Sequence, residues 1–338
     1  MISLIKRGAP QYKVNLHSHS NLSDGKLSPE ELVRIYKEHG YSALAITDHE
    51  RPADHSALGD ESFILLTGYE VYIRPSKECV YDIYSPEIHF NLIAKEPHNV
   101  SYVNYNPQYC KYLPRSEHHT LVKVGSEAQR EYSPEYINGF VRTAKDFGYI
   151  CTYNHPVWSL EEHEQIVRYE GFFSMEMCNY GAYIANAAEY NAALYDRLCR
   201  MGKRIACHSA DDNHNVHPID SPKCDSFGGF AMVMADELSY GALIKALEEH
   251  SFYSSMGPKI HELTIENGVA HIVTDPVKGL YMYSGSKKTK YTLAEGDTLT
   301  EASFEIAKDA PYVRFTARDS HGRAADTRAF FRDEFDEK

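Results

Sequence analysis

The feature that most constrains this chain is a repeated grammar running from Tyr12 to about Glu237, in which short β-branched or apolar runs alternate with amphipathic stretches of helical period. Such alternation implies parallel strands joined by crossover helices, because parallel neighbours cannot be linked by a tight hairpin. Seven strands are expected, at 12–17, 42–47, 63–71, 87–94, 149–153, 172–178 and 203–209. The first helix is well signalled: Ser28 can cap it, Pro29 suits the first helical position, Glu31 stands three residues after the cap, and Gly40 can end it. Its apolar stripe is Leu32, Ile35 and Tyr36. The same signals predict helices from Ser133-Pro134-Glu135 to Gly148, from Ser159-Leu160-Glu161-Glu162 onward, and over 188–201 before Gly202.

Two departures from this grammar divide the chain. Between His98 and Tyr132 it gives way to a Tyr-, Asn- and His-rich stretch longer than an ordinary connection, the mark of a lid or small subdomain, here expected to cover the mouth of a site. After Gly257-Pro258 the helical period is lost. Asn267-Gly268 between alternating runs predicts a two-residue hairpin, and further strand-like runs follow at 280–284, 303–307 and 312–319. The expected organisation is therefore an α/β barrel-type unit over 1–256, with a lid-like insertion at about 98–132, followed by a small antiparallel β-sandwich over 257–338.

Composition narrows the function classes. The formal net charge of −13 argues against a broad basic surface that grips a phosphate backbone. The N-terminus lacks a secretory pattern and no apolar run approaches membrane-spanning length, so a cytoplasmic location and no membrane partner are expected. Seven scattered cysteines without a C-x-x-C pair read as reduced thiols.

The chemistry lies at the ends of the expected strands. His17 and His19 are two apart on one strand and so project from one face, and Asp24 follows in a Ser23-Asp24-Gly25 turn. His49 and Glu70 close the second and third strands, and His89 opens the fourth. His155 follows the fifth, and Asp211, Asp212 and His214 follow the seventh. Carboxyl ends of parallel barrel strands share one rim, so these groups are expected to converge. Imidazole and carboxylate donors without thiolate suit Zn, Mn or Fe, with Mg a further option, and their number implies more than one ion.

The successive pieces HSHSNLSDG, ITDHE, GYE, IHF, NHPVW and DDNH resemble the motifs of the PHP (polymerase and histidinol phosphatase) family over roughly Tyr12 to Glu237. That resemblance implies a distorted seven-stranded (β/α) barrel, a centre of two or three divalent ions, and hydrolysis of phosphate esters. Carried over by motif, the metal ligands are His17, His19, Asp24, His49, Glu70, His89, His155, Asp212 and His214, with Glu70 as a bridging ligand. The Asp-x-His spacing selects Asp212 over its neighbour Asp211.

Six neutral imidazoles and three carboxylates carry about −3, and three divalent ions about +6, so the loaded site would be a positive pit in an acidic protein. A small phosphorylated metabolite or nucleotide is the expected substrate, attacked by a hydroxide that bridges the ions. Asp48 and Arg51 are candidates for orienting ligands and for phosphate contact, and Arg115, His118, His119 and Lys123 of the insertion for clamping substrate. His55, His208 and His217 read as polar surface or supporting residues. Two alternatives are a nuclease acting on short oligonucleotide ends and a metal-bound scaffold that recruits a partner through the sandwich, where a homodimer contact is also expected.

Overall fold

A computed structural model describes residues 2–75 and 82–335, so Cys79 and the rest of 76–81 lie outside the described residues. Mixed α/β structure, largely sheet, makes up the described residues. All seven expected strands are present: Gln11–Asn15, Ala43–Ile46, Ile64–Ile73, Ile88–Ala94, Tyr149–Tyr153, Ser174–Asn179 and Ala206–Ala210. The first three are mutually parallel, as are the last three.

Ile88–Ala94 departs from the parallel expectation, because it pairs antiparallel with both Ile64–Ile73 and Tyr149–Tyr153. The sequence between Ile73 and Ile88 offers no amphipathic helix to carry a crossover, so the chain returns alongside itself. The expected closed barrel is likewise not recorded by the ladders. Among the described residues the strand path is open, and the ends of its first and seventh expected strands meet through the isolated bridge Ser18–Asn213 and the Asp211 N–H bond to Asn15 Oδ1. Gln11–Asn15 instead takes Phe230–Met234 as its second neighbour. Phe252–Ser255 then pairs with Ala324–Thr327 and carries the sheet on into the C-terminal strands.

The helices follow their caps. Pro29–Glu38 has the full capping box of Ser28 and Glu31, and it buries Leu32, Val33, Ile35 and Tyr36 against the sheet. Burying each large apolar side chain contributes about 1.5–3 kcal/mol, more than the cap itself. Pro134–Asp146 and Ala192–Arg200 also lie where expected, with Gly148 and Gly202 at positive φ just beyond them. The helix expected from Ser159 shrinks to His163–Ile166, because Ser159 and Glu161 are engaged elsewhere. Tyr180–Asn186 and Tyr240–Glu248, which the strand-helix reading did not single out, are capped by Asn179 and Ser239.

In the C-terminal part, Glu266 pairs with Val269 across Asn267-Gly268, both at positive φ, as a two-residue hairpin requires. Ile260–Glu266, Val269–Val277 and Leu299–Glu305 form a four-stranded antiparallel sheet whose remaining edge is Ile2–Ile5 from the start of the chain. Leu263, Ile272 and Phe304 of this sheet pack in one core with Leu280, Phe315 and Ala317 of the other. Six described cysteines are free thiols, five of them buried. Among the described residues no helix is long and apolar enough to cross a membrane.

Candidate metal centre

Nine side chains separated by up to 197 positions in the chain meet at one end of the sheet, where a cavity of about 400 Å³ opens. Glu70 is their hub. Its Oε1 lies 3.2 Å from His17 Nε2 and 3.3 Å from both His89 Nδ1 and His155 Nε2, while Oε2 lies 3.0 Å from His49 Nδ1 and 3.4 Å from His19 Nε2. Asp212 Oδ1 sits 2.9 Å from His19 Nε2 and 3.1 Å from His17 Nε2. Asp24 stands 3.4 Å from His214 Nε2 and 3.6 Å from His49 Nε2.

These donors fall into three groups with the spacing of an ion's ligands: His19, Asp24, His49 and His214; His17, His19, Glu70 and Asp212; and His49, Glu70 and His89. Within each group the donor atoms lie within 4.8 Å of one another. Each two of the three groups share one residue: His19, Glu70 or His49. His155 belongs to none of them, yet reaches Glu70 Oε1.

The hydrogen-bond pattern fits bound cations. His19 Nδ1, His49 Nδ1, Glu70 Oε2, His89 Nδ1 and Asp212 Oδ1 are buried without a hydrogen-bond partner. An unsatisfied buried polar atom costs about 1–3 kcal/mol, so five in one cluster would be a heavy burden on a fold that gained nothing from them. His17 Nε2 and His19 Nε2 also approach to 3.1 Å. Two imidazole nitrogens at that distance either share a proton or present lone pairs to one cation.

Electrostatics ties the cluster together. Burial pushes the Glu70 carboxyl up, but the His17, His89 and His49 rings outweigh it and hold that carboxyl well below the usual range. Asp212 and Asp24 are held low against burial in the same way by their histidines. Burial, together with His214 and His49, pushes His19 down to about 4, whereas Glu70 and Glu87 overcome burial to raise His89 to about 10.

Supporting residues explain how local sequence builds this geometry. Glu176, an acid inside the otherwise uncharged buried strand Ser174–Asn179, accepts from His17 Nδ1 at 2.8 Å and from the His155 backbone N–H. That turns His17 Nε2 toward Glu70 and Asp212. Glu176 was not singled out from sequence, although a lone charge in such a run was the available signal. Asn154 donates to Glu70 Oε1 and Asn179 to Asp212 Oδ2. Asp211 turns away from the cluster, accepting the backbone N–H groups of Phe227, Gly228 and Gly229, whereas Asp212 lies within it. His155 and Asp212 adopt φ values of 21° and 51°, a left-handed backbone that non-glycine residues seldom take. Gly25 permits the Asp24 turn, because a Cβ there would stand 2.3 Å from the His19 carbonyl oxygen.

The other singled-out residues take different places. Asp48 does not face the cavity; it accepts from Ser20 N–H, Ser20 Oγ and Ser23 Oγ and so fixes the loop that carries Asp24. Arg51 donates to the carbonyls of Leu22 and Tyr112 and lines a separate depression. His118 is buried, with its ring nitrogens on Tyr105 Oη and the Leu113 carbonyl. Lys123 rests on the Tyr105 ring, and Arg115 and His119 are exposed; none of these lines the cavity. The insertion does reach the mouth, through Tyr109, Lys111 and Tyr112, with Tyr112 Oη 3.2 Å from Asp24 Oδ2. It is pinned there by Arg130, buried and bonded to both Glu50 carboxylate oxygens and to the Tyr72 carbonyl. Of the neighbouring histidines, His217 is exposed and His55 half-buried, but His208 is wholly buried beneath the site.

The family model of the PHP domain matches residues 15–191, just over half of the 338 residues. The chain belongs to the PHP domain family. The match ends before Asp212 and His214, so in this PHP chain their membership of the cluster rests on the geometry above. Comparison with curated proteins finds no match. Among solved structures, the chain is similar to a two-domain Bacteroides vulgatus protein described as containing a predicted PHP-like metal-dependent phosphoesterase. That likeness has 15% identity and a TM-score of 0.48, and covers 96% of this chain and 98% of that one. It is also similar to an amidohydrolase from Chromobacterium violaceum with bound sulfate and no metal, at 17% identity and a TM-score of 0.39, covering 60% of this chain and 87% of the other.

Proposed function

We propose that this PHP chain is a metal-dependent phosphoesterase that hydrolyses phosphate esters of a small metabolite or nucleotide. The observation that carries the reading is the set of unpartnered donor atoms gathered around Glu70. Two or three divalent ions would be held by His17, His19, Asp24, His49, Glu70, His89, His155, Asp212 and His214. Nitrogen and oxygen donors without sulfur favour Mn, Zn or Fe. When bound, such ions supply Lewis acidity to a phosphoryl oxygen, stabilise the leaving oxygen and lower the pKa of water.

The chain's own residues prepare that chemistry. Glu176 fixes which nitrogen His17 presents, Asn154 and Asn179 orient Glu70 and Asp212, and Asp48 holds the Asp24 loop. The insertion's Tyr109 and Tyr112 line the cavity beside Asp24, His49 and Glu70. A cavity of about 400 Å³ suits a small ester, and the charge of −13 leaves little to attract a long polynucleotide.

The test is elemental analysis of the purified chain together with turnover on a panel of phosphomonoesters and oligonucleotides. A substoichiometric metal content after reconstitution, or a fully loaded protein that cleaves no phosphoester, contradicts the reading. Turnover confined to oligonucleotides would replace it with the nuclease alternative. A scaffold would bind metal without turnover and keep its partner after Asp212→Ala.

A further inference from the structure

Trp158 is the chain's single tryptophan, and it stands 49% exposed on the wall of the metal cavity. Its ring centroid lies 5.0 Å from that of His155 and 5.2 Å from that of His89, with interplanar angles of 78° and 65°. His155 Nε2 is in turn 3.3 Å from Glu70 Oε1, so one imidazole separates the indole from the hub of the cluster. Both contacts are edge to face. Among the described residues no aromatic ring lies parallel to the indole, and the stacked position beside it is not taken.

The turn that presents this ring is fixed from within. Glu189, wholly buried, accepts the N–H groups of Val157 and Trp158 at 3.1 and 2.7 Å, and Asn191 Nδ2 donates to the same carboxylate at 3.0 Å. Ser159 N–H closes the turn on the His155 carbonyl, and the Ser159 carbonyl accepts from Glu87 N–H. A backbone held in advance lowers the ordering cost of binding against the side chain it carries. Gly181, Ala182 and Ala185 of Tyr180–Asn186 line the same cavity, and their small side chains leave it volume for the body of a ligand. A large flat ring left half in water next to a reactive centre gains apolar burial when a flat ligand group is laid on it.

We propose that Trp158 is a specificity-determining residue: the organic part of the phosphoester carries a planar aromatic ring, a nucleobase or an aryl group, that stacks on the indole while the phosphoryl group meets the cluster. The inference rests on the phosphoesterase reading and names its substrate class. Stacking on an indole accepts any flat π face, so the source of the ring is left to the matched ligands below.

The test uses the full chain supplied with Zn²⁺, which does not quench indole emission. AMP against ribose 5-phosphate isolates a nucleobase, and benzyl phosphate against cyclohexylmethyl phosphate isolates an aryl ring at similar size and leaving group. In at least one pair kcat/KM should favour the aromatic member about tenfold. Trp158→Ala should move that ratio toward one and Trp158→Phe should keep most of it, since a ratio cancels any loss common to both members. The phosphonate analogues of the same pairs give readouts without turnover. By calorimetry the aromatic member should bind about tenfold more tightly, with the difference lost in Trp158→Ala. Emission excited beyond the tyrosine band reports on Trp158 alone, and the bound aromatic phosphonate should shield it from acrylamide quenching in the parent protein. Ratios near one in both parent pairs, ratios indifferent to Trp158→Ala, or an indole equally open to acrylamide with the aromatic phosphonate bound overturn the inference even if esters are cleaved. If no ester is cleaved, the phosphoesterase reading fails, and the phosphonate pairs still decide whether a ring is held at Trp158.

Discussion

Asp211 and Asp212 are adjacent acids with opposite assignments, and substitution should separate them. Asp211 accepts three backbone N–H groups and is wholly buried, so Asp211→Ala should destabilise the fold by about 3 kcal/mol by orphaning those donors. Asp212 leaves Oδ1 unpartnered among histidines, so Asp212→Ala should cost little stability in chelator-treated protein while abolishing the rise in Tm that added Mn²⁺ gives the parent. Thermal unfolding with and without Mn²⁺ reads both outcomes, and equal losses of stability would contradict the division of roles. The sequence supported this choice only through spacing, because what separates two neighbouring carboxylates is the direction of each side chain.

His208 makes a second residue-scale prediction. It is buried, bonded through Nδ1 to Ser174, and burial pushes its ring down from 6.5 to about 4. The unfolded chain therefore binds more protons there between those values, so stability is fully present above pH 6.5 and falls as pH drops through the window toward 4. The loss should approach about 3 kcal/mol at its acid end. His208→Gln should flatten that part of a Tm-against-pH curve relative to the parent, and parallel curves would contradict the assignment. Sequence reading left His208 as surface or support, since a polar residue in a strand can face either way.

At the scale of elements, the insertion is a fastened wall of the cavity. Arg130 reaches from its end to Glu50, beside His49, and both partners are buried. Arg130→Met leaves a buried carboxylate unpaired and should destabilise by about 3–5 kcal/mol, whereas adding Glu50→Gln should recover part of the loss. Hydrogen exchange in 102–130 should accelerate in the single variant more than in strands remote from it. Unchanged exchange would mean that the wall is held by other contacts. Here the sequence was least informative. Helices with caps and strands with apolar runs were legible, but a tyrosine-rich stretch without period does not reveal which residues face inward. Lys111 and Tyr112 therefore went unmarked while Arg115, His118 and His119 were singled out. The Ser159 signal failed for a related reason: a good capping residue was recruited by the His155 ring.

For the whole molecule, the seven strands and the convergence of nine chemical groups were readable because strand ends and motif spacing are local facts. The antiparallel course of Ile88–Ala94, the open strand path, and the pairing of Ile2–Ile5 with Ile260–Glu266 depend on long-range partners that local pattern does not specify. The two parts are joined by continuous sheet and by Arg314, which is buried between Asp196 of the α/β part and Asp326 of the C-terminal strands. The strands that carry the clustered side chains and the C-terminal strands Gly279–Tyr283, Tyr312–Arg318 and Ala324–Thr327 thus share one hydrogen-bonded sheet. The central claim is that nine dispersed side chains jointly cage several cations around Glu70. Its most direct test is anomalous diffraction from crystals grown with Mn²⁺. The account predicts two or three strong peaks among His17, Glu70, Asp212 and their neighbours, lost from the Glu70 position outward in Glu70→Ala. A well-ordered crystal with no peak there, or with its peaks elsewhere on the chain, would contradict it.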